Sequence, residues 1–465
     1  MTQFDDMMGE VSVFFTIREF RNDQNILKLV ITNTYKHGLK LACFLDVIFV
    51  NYSGENVMGK FSQSCIALLF MFGLSQSVSA TVIDGIFIFG DSLSDSGAFV
   101  GNADAGGGGK FTTNPGPVWT ELLGAHYGQT VVSNNPNNLL NTSTTGNNYA
   151  QGGAQVTSPI GIGQTASPQN ALSISTQVTN YLAASPVASP TGLFTVWGGA
   201  NDLFYNLGLI GGGFINPVTA AGNLLTSATS LVGEAQRLIT AGAGTVLIPN
   251  LPDIGTTPST IFSAISAVGA GNANLTNALV TATLALRTAA NTSAEQAAVK
   301  VAAIAAAAGV LGVPIAVLQG AVNQTGMLFS GLTAAYNGAL TGLIAGAGLP
   351  NVVLLDVASL FTDVLAAPSV YGLGNVTGTA CNTPSSLSCT APFFAAETAF
   401  FDFLFADAVH PTSAGHALIA SLAITTLNTH FGIPEPSVII LLMLGLLMMV
   451  WIKKRKVQHI RISHY

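Results

Sequence analysis

Charged side chains are scarce in this sequence, and that scarcity already excludes one class of function. Asp, Glu, Lys and Arg make up 8% of the 465 residues, whereas soluble domains contain about 25%. The formal net charge is −7, and only four basic side chains lie between residues 81 and 432: Lys110, Arg237, Arg287 and Lys300. Binding to nucleic acid requires a basic surface that neutralises phosphates. We therefore expect no nucleic-acid partner.

Cysteine is also scarce, with four in the chain. Neither CxxC nor HExxH occurs, and these spacings supply many zinc sites. We therefore predict no metal site and no cofactor. Cys381 and Cys389 close a short loop that is rich in Thr, Ser and Pro. In an exported protein such a pair predicts a disulfide.

The segment MGKFSQSCIALLFMFGLSQSVSATV, which begins at Met58, has the order of parts of a secretory signal peptide. Lys60 supplies a positive start, residues 65–74 an apolar centre and Val-Ser-Ala at 78–80 a cleavage site. We predict a signal peptide over residues 58–80 that a signal peptidase cuts after Ala80. We interpret residues 1–57 as the product of a start codon assigned too early or as an unstructured extension. An authentic N-terminal extension is the alternative.

The last segment, residues 433–465, contains IPEPSVIILLMLGLLMMVWIKKRK. Pro-Glu-Pro at 434–436 precedes an apolar run at 437–452, and four basic residues follow at 453–456. This order resembles the PEP-CTERM sorting signal of Gram-negative bacteria that produce exopolysaccharide. The resemblance implies an inner-membrane segment with the domain in the periplasm, then processing by an exosortase and release to the cell surface or outside. A plain membrane anchor is the alternative.

Between these segments, residues 81–432 show the pattern of an α/β domain. Short apolar runs at 85–89, 130–132, 193–197, 245–248 and 351–356 alternate with helical segments. Such runs are typical of parallel strands that are buried on both faces. We predict a three-layer α/β/α sandwich with a mainly parallel sheet of about five strands. An Ala-rich helical insertion at about 257–345 separates the last two strands, and it is either a lid over an acyl pocket or added structure.

The stretch IFIFGDSLSDSG places a serine directly after the first predicted strand. Ligands of open α/β sheets bind beyond the carboxyl ends of the strands, and Gly90 permits a tight turn before Ser92. A serine nucleophile needs a base. In the stretch FADAVHPTSAGH, His410 follows Asp407 by three residues, so that the carboxylate can fix the imidazole tautomer. G-x-S-x-G does not occur, which disfavours an ordinary α/β-hydrolase.

Two further loops could stabilise negative charge on a substrate oxygen. The stretch LFTVWGGANDLFY places Asn201 just after another predicted strand, where its amide could donate a hydrogen bond to an oxyanion. The stretch NNYAQGGA offers the backbone N–H groups of Gly152 and Gly153. By position alone, either glycine could serve.

Together these four stretches resemble the four blocks of the GDSL lipase/esterase family, also called SGNH hydrolases, over about residues 86–431. The resemblance implies a flavodoxin-like sheet and metal-independent hydrolysis of esters through an acyl-enzyme. It assigns Ser92 as the nucleophile, His410 as the base and Asp407 as the orienting acid. It also assigns the oxyanion hole to the Ser92 N–H, Gly153 and Asn201. The long Ala-rich insertion departs from the family pattern.

The function expected from these motifs is that of an exported serine esterase or lipase acting on a small-molecule, lipid or polysaccharide ester. An exopolysaccharide O-deacetylase of the same fold is one alternative. A catalytically silent matrix or adhesion protein is another, because sorting signals of this kind also occur on structural exoproteins. The loops that would form an acyl pocket carry no readable code, so the sequence leaves the substrate open.

Overall fold

The computed structural model describes residues 26–34, 40–48, 83–101, 108–134, 145–162 and 171–432. The chain divides into two compact units between Ser77 and Val78. In the first unit, strands β1 (Ile26–Thr34) and β2 (Lys40–Ile48) pair antiparallel. The predicted signal peptide and the predicted sorting segment lie outside the described residues. Those two assignments, and the interpretation of residues 1–57, stay predictions.

The second unit is built on a parallel sheet of four strands in the order β3-β4-β5-β6. These strands are β3 (Ile86–Gly90), β4 (Leu193–Trp197), β5 (Thr245–Pro249) and β6 (Val352–Leu355). All residues of β4 and β5 are buried, which is why their sequences are almost continuously apolar, with one threonine each, rather than alternating. The predicted mainly parallel sheet is confirmed.

Helices cover both faces of this sheet. The α-helices of the described residues are α1 (Trp119–His126), α2 (Ile174–Ala184), α3 (Ala200–Gly211), α4 (Pro217–Thr240), α5 (Pro258–Val268), α6 (Leu275–Leu286), α7 (Ser293–Leu311), α8 (Ile315–Ala347), α9 (Val357–Ala366), α10 (Ala399–Asp402) and α11 (Ser413–His430). Helices α2, α4 and α8 pack together and contact the strands, and α1, α9 and α11 form a second group that contacts β6. The arrangement is the predicted three-layer sandwich, with one large apolar core.

One predicted strand is wrong: residues 130–132 do not form a strand. The outer edge of β3 is instead occupied by an isolated bridge at Asn148, where the N–H of Ile88 donates to the Asn147 carbonyl (2.9 Å). The Asn147 side chain also accepts from the Val132 N–H (2.8 Å) and donates to the Thr130 carbonyl (3.0 Å). A side chain therefore takes backbone groups that a ladder would have used, and only four of the expected five strands form.

Four helices, α5 to α8, occupy the long interval between β5 and β6. They share a second apolar cluster that is rich in alanine, with Ile265, Ala282, Ala303 and Ala307 among its fully buried members. By length and composition α7 and α8 could each cross a membrane. However, α7 packs into this second cluster, and α8 also contributes Tyr336 to the main core.

A smaller parallel pair, β7 (Asn375–Thr379) and β8 (Phe403–Phe405), follows the main sheet in the chain. The segment between its two strands contains a disulfide between Cys381 and Cys389. Helix α11 begins just after β8, where the side chain of Thr412 accepts the N–H of Gly415 and caps the helix. The last predicted motif, DAVHP, lies in the short turn between β8 and α11.

Candidate active site

The carboxyl ends of β3 and β4 lie side by side, with Gly90 opposite Trp197 in the ladder. The backbone at Gly90 passes close to β4: a Cβ atom there would lie 2.7 Å from the Trp197 carbonyl oxygen. This close approach requires glycine. Ser92 follows two residues later, and Asn201 lies in the first turn of α3, just after β4. The sheet therefore brings both side chains to one cavity.

Ser92, His410 and Asp407 form a continuous chain of hydrogen bonds. The Ser92 Oγ lies 2.9 Å from His410 Nε2, and His410 Nδ1 lies 2.8 Å from Asp407 Oδ2. Asp407 can hold the ring because its Oδ1 also accepts the backbone N–H groups of Val409 (3.0 Å) and His410 (2.8 Å), which closes a tight turn. A carboxylate on Nδ1 leaves Nε2 free to accept the hydroxyl proton of the serine.

Electrostatics favour the charged forms of the acid and of the imidazole. Burial raises the pKa of Asp407, but the nearby His410 and the hydrogen bonds of the turn lower it by more, so that it lies well below its usual range. Burial lowers the pKa of His410, but the charge and hydrogen bond of Asp407 raise it above its ordinary value. A histidinium formed next to Asp407 is therefore stabilised, as a proton-accepting base requires.

Three hydrogen-bond donors line the same cavity: the backbone N–H groups of Ser92 and Gly153 and the amide of Asn201. Within the described residues, neither of the two backbone groups donates a hydrogen bond. Asn201 Nδ2 donates one N–H to the Ala154 carbonyl (2.8 Å), which fixes the amide and leaves its second N–H available. Gly153 has a φ of +85°, a backbone conformation that favours glycine.

The structure also distinguishes between Gly152 and Gly153 as the glycine whose N–H could bind a substrate oxygen. The N–H of Gly152 donates to Asp95 Oδ2 (3.0 Å), while Asp95 Oδ1 accepts from Gly97 (2.8 Å) and Ala98 (2.6 Å). Asp95 thus joins the loop that follows β3 to the loop that contains Gly152 and Gly153. Because the Gly152 donor is already used, Gly153 is the better placed of the two to receive a substrate oxygen.

Two more buried carboxyl groups lie next to these loops. Asp202 accepts from the Val156 N–H (3.0 Å) and the Ser227 hydroxyl (2.7 Å). Asp91 Oδ1 accepts from the Leu93 N–H (3.1 Å), but its Oδ2 has no partner among the residues that the structure describes. Burial raises the pKa of Asp91 to about 7 and outweighs the Leu93 hydrogen bond and the attraction of His410.

The cavity in front of Ser92 has a volume of about 340 Å³ and largely apolar walls. Its apolar lining includes Leu93, Phe99, Phe111, Ile162, Phe204, Pro252, Ile254 and Leu387. The ring of Phe111 lies against the His410 imidazole, with centroids 4.9 Å apart. Sequence reasoning did not predict this wall, because most of its residues come from separate loops without a motif; Leu93, next to Ser92, and Phe204, on α3, are the two that lie in the quoted stretches.

The helical insertion does not reach the walls of the cavity. Pro252 and Ile254, which precede α5, line it, but no residue of α5 to α8 does. Helix α8 instead supports the site from the core side, where the Tyr336 hydroxyl donates to the Gly198 carbonyl (2.8 Å). The lid interpretation of the insertion therefore has no contact at the cavity to support it.

The disulfide loop is a further part of the site that sequence reasoning missed. The loop closed by Cys381 and Cys389 contributes residues 384, 385 and 387 to the cavity wall. The backbone N–H of Ser386 donates to Asp407 Oδ2 (2.6 Å). The cysteine spacing indicated a closed loop, but nothing in the sequence placed that loop beside Asp407.

Comparison with known proteins gives one family and two curated relatives. A family model described as GDSL-like Lipase/Acylhydrolase matches residues 86–423. Lipase 1 of Photorhabdus luminescens is 26% identical over 374 residues, which cover 77% of this chain and 52% of that protein. An uncharacterized protein from the trpE-trpG intergenic region of Pseudomonas putida is 28% identical over 392 residues, covering 79% and 52%. The chain spans about half the length of the curated relatives it matches.

Proposed function

This chain belongs to the GDSL-like lipase/acylhydrolase family, and from that membership we propose that it is a serine esterase or lipase that cleaves carboxylic ester bonds. The observation that supports the proposal most directly is the hydrogen-bonded chain from Ser92 through His410 to Asp407 at the wall of an apolar cavity. The relative named Lipase 1 agrees with ester hydrolysis.

In the proposed acylation step, His410 Nε2 takes the proton of Ser92 as the serine Oγ attacks the ester carbonyl carbon. The carbonyl oxygen gains negative charge, which the N–H groups of Ser92, Gly153 and Asn201 stabilise. The intermediate then collapses: the bond to the alcohol oxygen breaks, and that oxygen takes the proton from His410. The acyl group remains on Ser92 as an ester.

Deacylation repeats these steps with water as the nucleophile. His410 takes a proton from the water, whose oxygen attacks the acyl carbon, and the same three donors stabilise the second oxyanion. Collapse breaks the bond to Ser92 Oγ, which regains its proton from His410. The products are a carboxylic acid and the free enzyme. Throughout, ionised Asp407 holds the imidazole tautomer and stabilises its charged form.

The apolar wall favours an acyl chain over a bare acetyl group. A cavity of about 340 Å³ lined by phenylalanine, leucine and isoleucine side chains gains free energy from burying methylene groups, at about 0.8 kcal/mol each. An acetyl ester would leave much of that surface uncovered. We therefore rank a lipase or esterase above an exopolysaccharide O-deacetylase. The Ser92–His410 hydrogen bond (2.9 Å) disfavours a silent module, which would not need it.

The test compares the parent with Ser92→Ala on p-nitrophenyl esters from acetate to palmitate. We expect Ser92→Ala to lose roughly four to six orders of magnitude in kcat. Ser96→Ala is the control: it lies in the same segment, but its hydroxyl contacts Asn148 and not His410. A fluorophosphonate should label the parent and the control but not Ser92→Ala. Parental hydrolysis by Ser92→Ala would overturn the proposal, and a preference for acetate would favour the deacetylase.

We also propose that the protein is exported and then sorted through its C-terminal segment. The proposal is supported by the order of parts in residues 58–80 and by Pro-Glu-Pro, apolar run and basic cluster in residues 434–456. Mass spectrometry of the protein from a host with the sorting machinery should find Thr81 as the first residue and a C-terminus near 434–437. An intact C-terminus at Tyr465 would leave only a membrane anchor.

A further inference from the structure

Asp407 receives hydrogen bonds from two directions. Its Oδ1 accepts the N–H groups of Val409 and His410, which belong to its own turn. Its Oδ2 accepts His410 Nδ1 (2.8 Å) and the N–H of Ser386 (2.6 Å). Ser386 lies 21 positions away in the chain. Among the described residues it is the one donor to Asp407 from outside the turn, so it fixes the carboxylate relative to the rest of the domain.

Ser386 itself is held by the loop that the disulfide closes. The Cys381–Cys389 bond joins the two ends of that loop. Asn114 holds it from the other side, with its side chain donating to the Ser386 carbonyl (2.9 Å) and its N–H to the Cys389 carbonyl (2.8 Å). The N–H of Gly109 donates to the Leu387 carbonyl (2.9 Å). The loop is thereby pinned at both ends and in its middle.

The side chain of Ser386 does not explain this arrangement. Ser386 is completely buried, yet its hydroxyl has no hydrogen-bond partner among the described residues. Its N–H and its carbonyl, in contrast, are both used. The functional contact is therefore made by the backbone, and the hydroxyl can be removed without breaking a hydrogen bond.

We propose that the backbone N–H of Ser386, held by the Cys381–Cys389 loop, positions Asp407 and through it His410 for catalysis. This inference rests on the proposed ester hydrolysis. A hydrogen bond to an ionised carboxylate is stronger than one between neutral groups, and here it sets the orientation in which Asp407 faces the imidazole. The disulfide loop thus supports turnover as well as stability.

A proline at position 386 removes this one donor at a compatible backbone position. Residues 386–388 form a short 3₁₀ turn in which Ser386 comes first, a place that tolerates proline. Ser385 before it is extended, with φ −124° and ψ 137°, as a residue before proline requires. The proline ring carbon would occupy the place of the N–H proton and push the carboxylate away.

We expect Ser386→Pro to lower kcat roughly ten- to hundredfold with KM close to the parental value. Ser386→Ala is the matched control, because it keeps the N–H and removes only the unpaired hydroxyl; its kcat should stay within about twofold. Rates are divided by the concentration of sites that a fluorophosphonate titrates, so that misfolded protein does not count. Parental kcat per site in a folded Ser386→Pro protein would overturn the proposal.

The pH profile provides a readout that a purely structural role would not move. Asp407 holds the pKa of His410 above its ordinary value. If the carboxylate is displaced, that pKa falls, and the acid limb of kcat/KM should move to lower pH in Ser386→Pro but not in Ser386→Ala. An acid limb that stays at the parental pH in Ser386→Pro would contradict the positioning role.

A second variant decides the matter if Ser386→Pro fails to fold. Cys381→Ser/Cys389→Ser opens the loop without changing Ser386, and it should show the same loss of kcat per titrated site and the same shift of the acid limb. Parental values for both would overturn the inference. Failure of the proposed function gives a different result, because then Ser92→Ala keeps the parental activity and no variant of this loop affects a Ser92-dependent rate.

Discussion

The side-chain amide of Asn201 is held in one orientation by a hydrogen bond to the backbone. One N–H of Nδ2 donates to the Ala154 carbonyl (2.8 Å), so the side chain is fixed before a substrate arrives. Asn201 lines the cavity together with Ser92 and Gly153, and its second N–H is available to a substrate oxygen there. A donor held in this way costs no reorganisation when charge develops on the substrate oxygen. It should therefore act on the transition state more than on the bound ester.

Replacing Asn201 with alanine tests this interpretation. We expect Asn201→Ala to lower kcat roughly 10²- to 10³-fold, or about 2.7–4 kcal/mol, with little change in KM. Asn206→Ala is the control, because Asn206 is a buried asparagine on the same helix α3 whose amide bonds to the Asp202 carbonyl and not to the cavity. Steady-state kinetics on one ester give both constants. A change in KM alone would make Asn201 a substrate-binding residue.

At the scale of the elements, the strands could be predicted where the sequence was almost continuously apolar. Residues 193–197 and 245–248 became β4 and β5, because both faces of a central parallel strand are buried. The strand predicted at residues 130–132 does not form, because the backbone groups of an edge segment can find other hydrogen-bond partners. Here the Asn147 side chain bonds to the Val132 N–H and the Thr130 carbonyl. The hydrophobic pattern does not report such side-chain competition.

Part of the candidate site could also be predicted from the sequence, and part could not. Ser92, Asn201, Asp407 and His410 could be predicted, because each lies in a short motif at the end of a strand or in a turn. The cavity walls and the contact from Ser386 could not, because they depend on where loops far apart in the sequence meet. The helices of the insertion could be predicted as helices, but their near lack of charge concealed which faces would be buried.

Helix α6 connects the insertion to the disulfide loop through Arg287, its C-terminal cap residue. The guanidinium donates to the carbonyl oxygens of Thr379 (2.8 Å) and Cys381 (2.7 Å) and to the Asn382 side chain (2.7 Å). The side chain of Asn375 on β7 also donates to the Leu286 carbonyl (3.0 Å) at the end of α6. The insertion therefore braces the segment from which the cavity wall is built.

Removal of this brace should destabilise the domain. We expect Arg287→Ala to lower the free energy of unfolding by about 1–3 kcal/mol, because two backbone carbonyls lose a charged donor. Arg287→Lys should recover little, since an ammonium cannot reproduce the planar fork. Gln236→Ala is the control: its side chain is exposed on α4 and donates to the Thr240 hydroxyl of the same helix, so the change should stay within about 0.5 kcal/mol. Urea unfolding measures all three variants, and equal losses for Arg287→Ala and Gln236→Ala would contradict the brace.

For the whole molecule, buried titratable groups make stability depend on pH in opposing directions. Burial raises the pKa of Asp91 to about 7 and of Asp95 to about 6, from 3.8. The folded protein then binds protons that the unfolded chain releases, so these two groups favour folding more as the pH falls towards 3.8. His416 acts oppositely, because burial lowers its pKa from 6.5 to about 3 despite its hydrogen bond to the Phe111 carbonyl.

His416 can be isolated from these groups by substitution. It is completely buried, and its ring accepts the Trp119 N–H at Nδ1 (3.3 Å) and contacts the Phe111 carbonyl through Nε2 (3.4 Å), so the folded protein holds it neutral. The charges of His410 and Lys110 also oppose its protonation. Between about pH 6.5 and 3 the unfolded chain binds a proton that the native protein does not. Stability therefore falls with falling pH, by at most about 1.4 kcal/mol per pH unit from this group.

We expect His416→Gln to be less stable than the parent near pH 7, because the glutamine amide replaces the ring's packing imperfectly, but to lose less stability on acidification. The measurement is the free energy of unfolding in urea at pH 7, 6, 5 and 4, and the result is the difference between variant and parent at each pH. The contributions of Asp91 and Asp95 to the free energy of unfolding are the same in both proteins and cancel in this difference. The difference should shrink steadily below about pH 6.5. His430→Gln, an exposed substitution on the same helix, should follow the parental curve. A difference between His416→Gln and the parent that stays constant from pH 7 to 4 would mean that His416 can accept a proton in the folded protein.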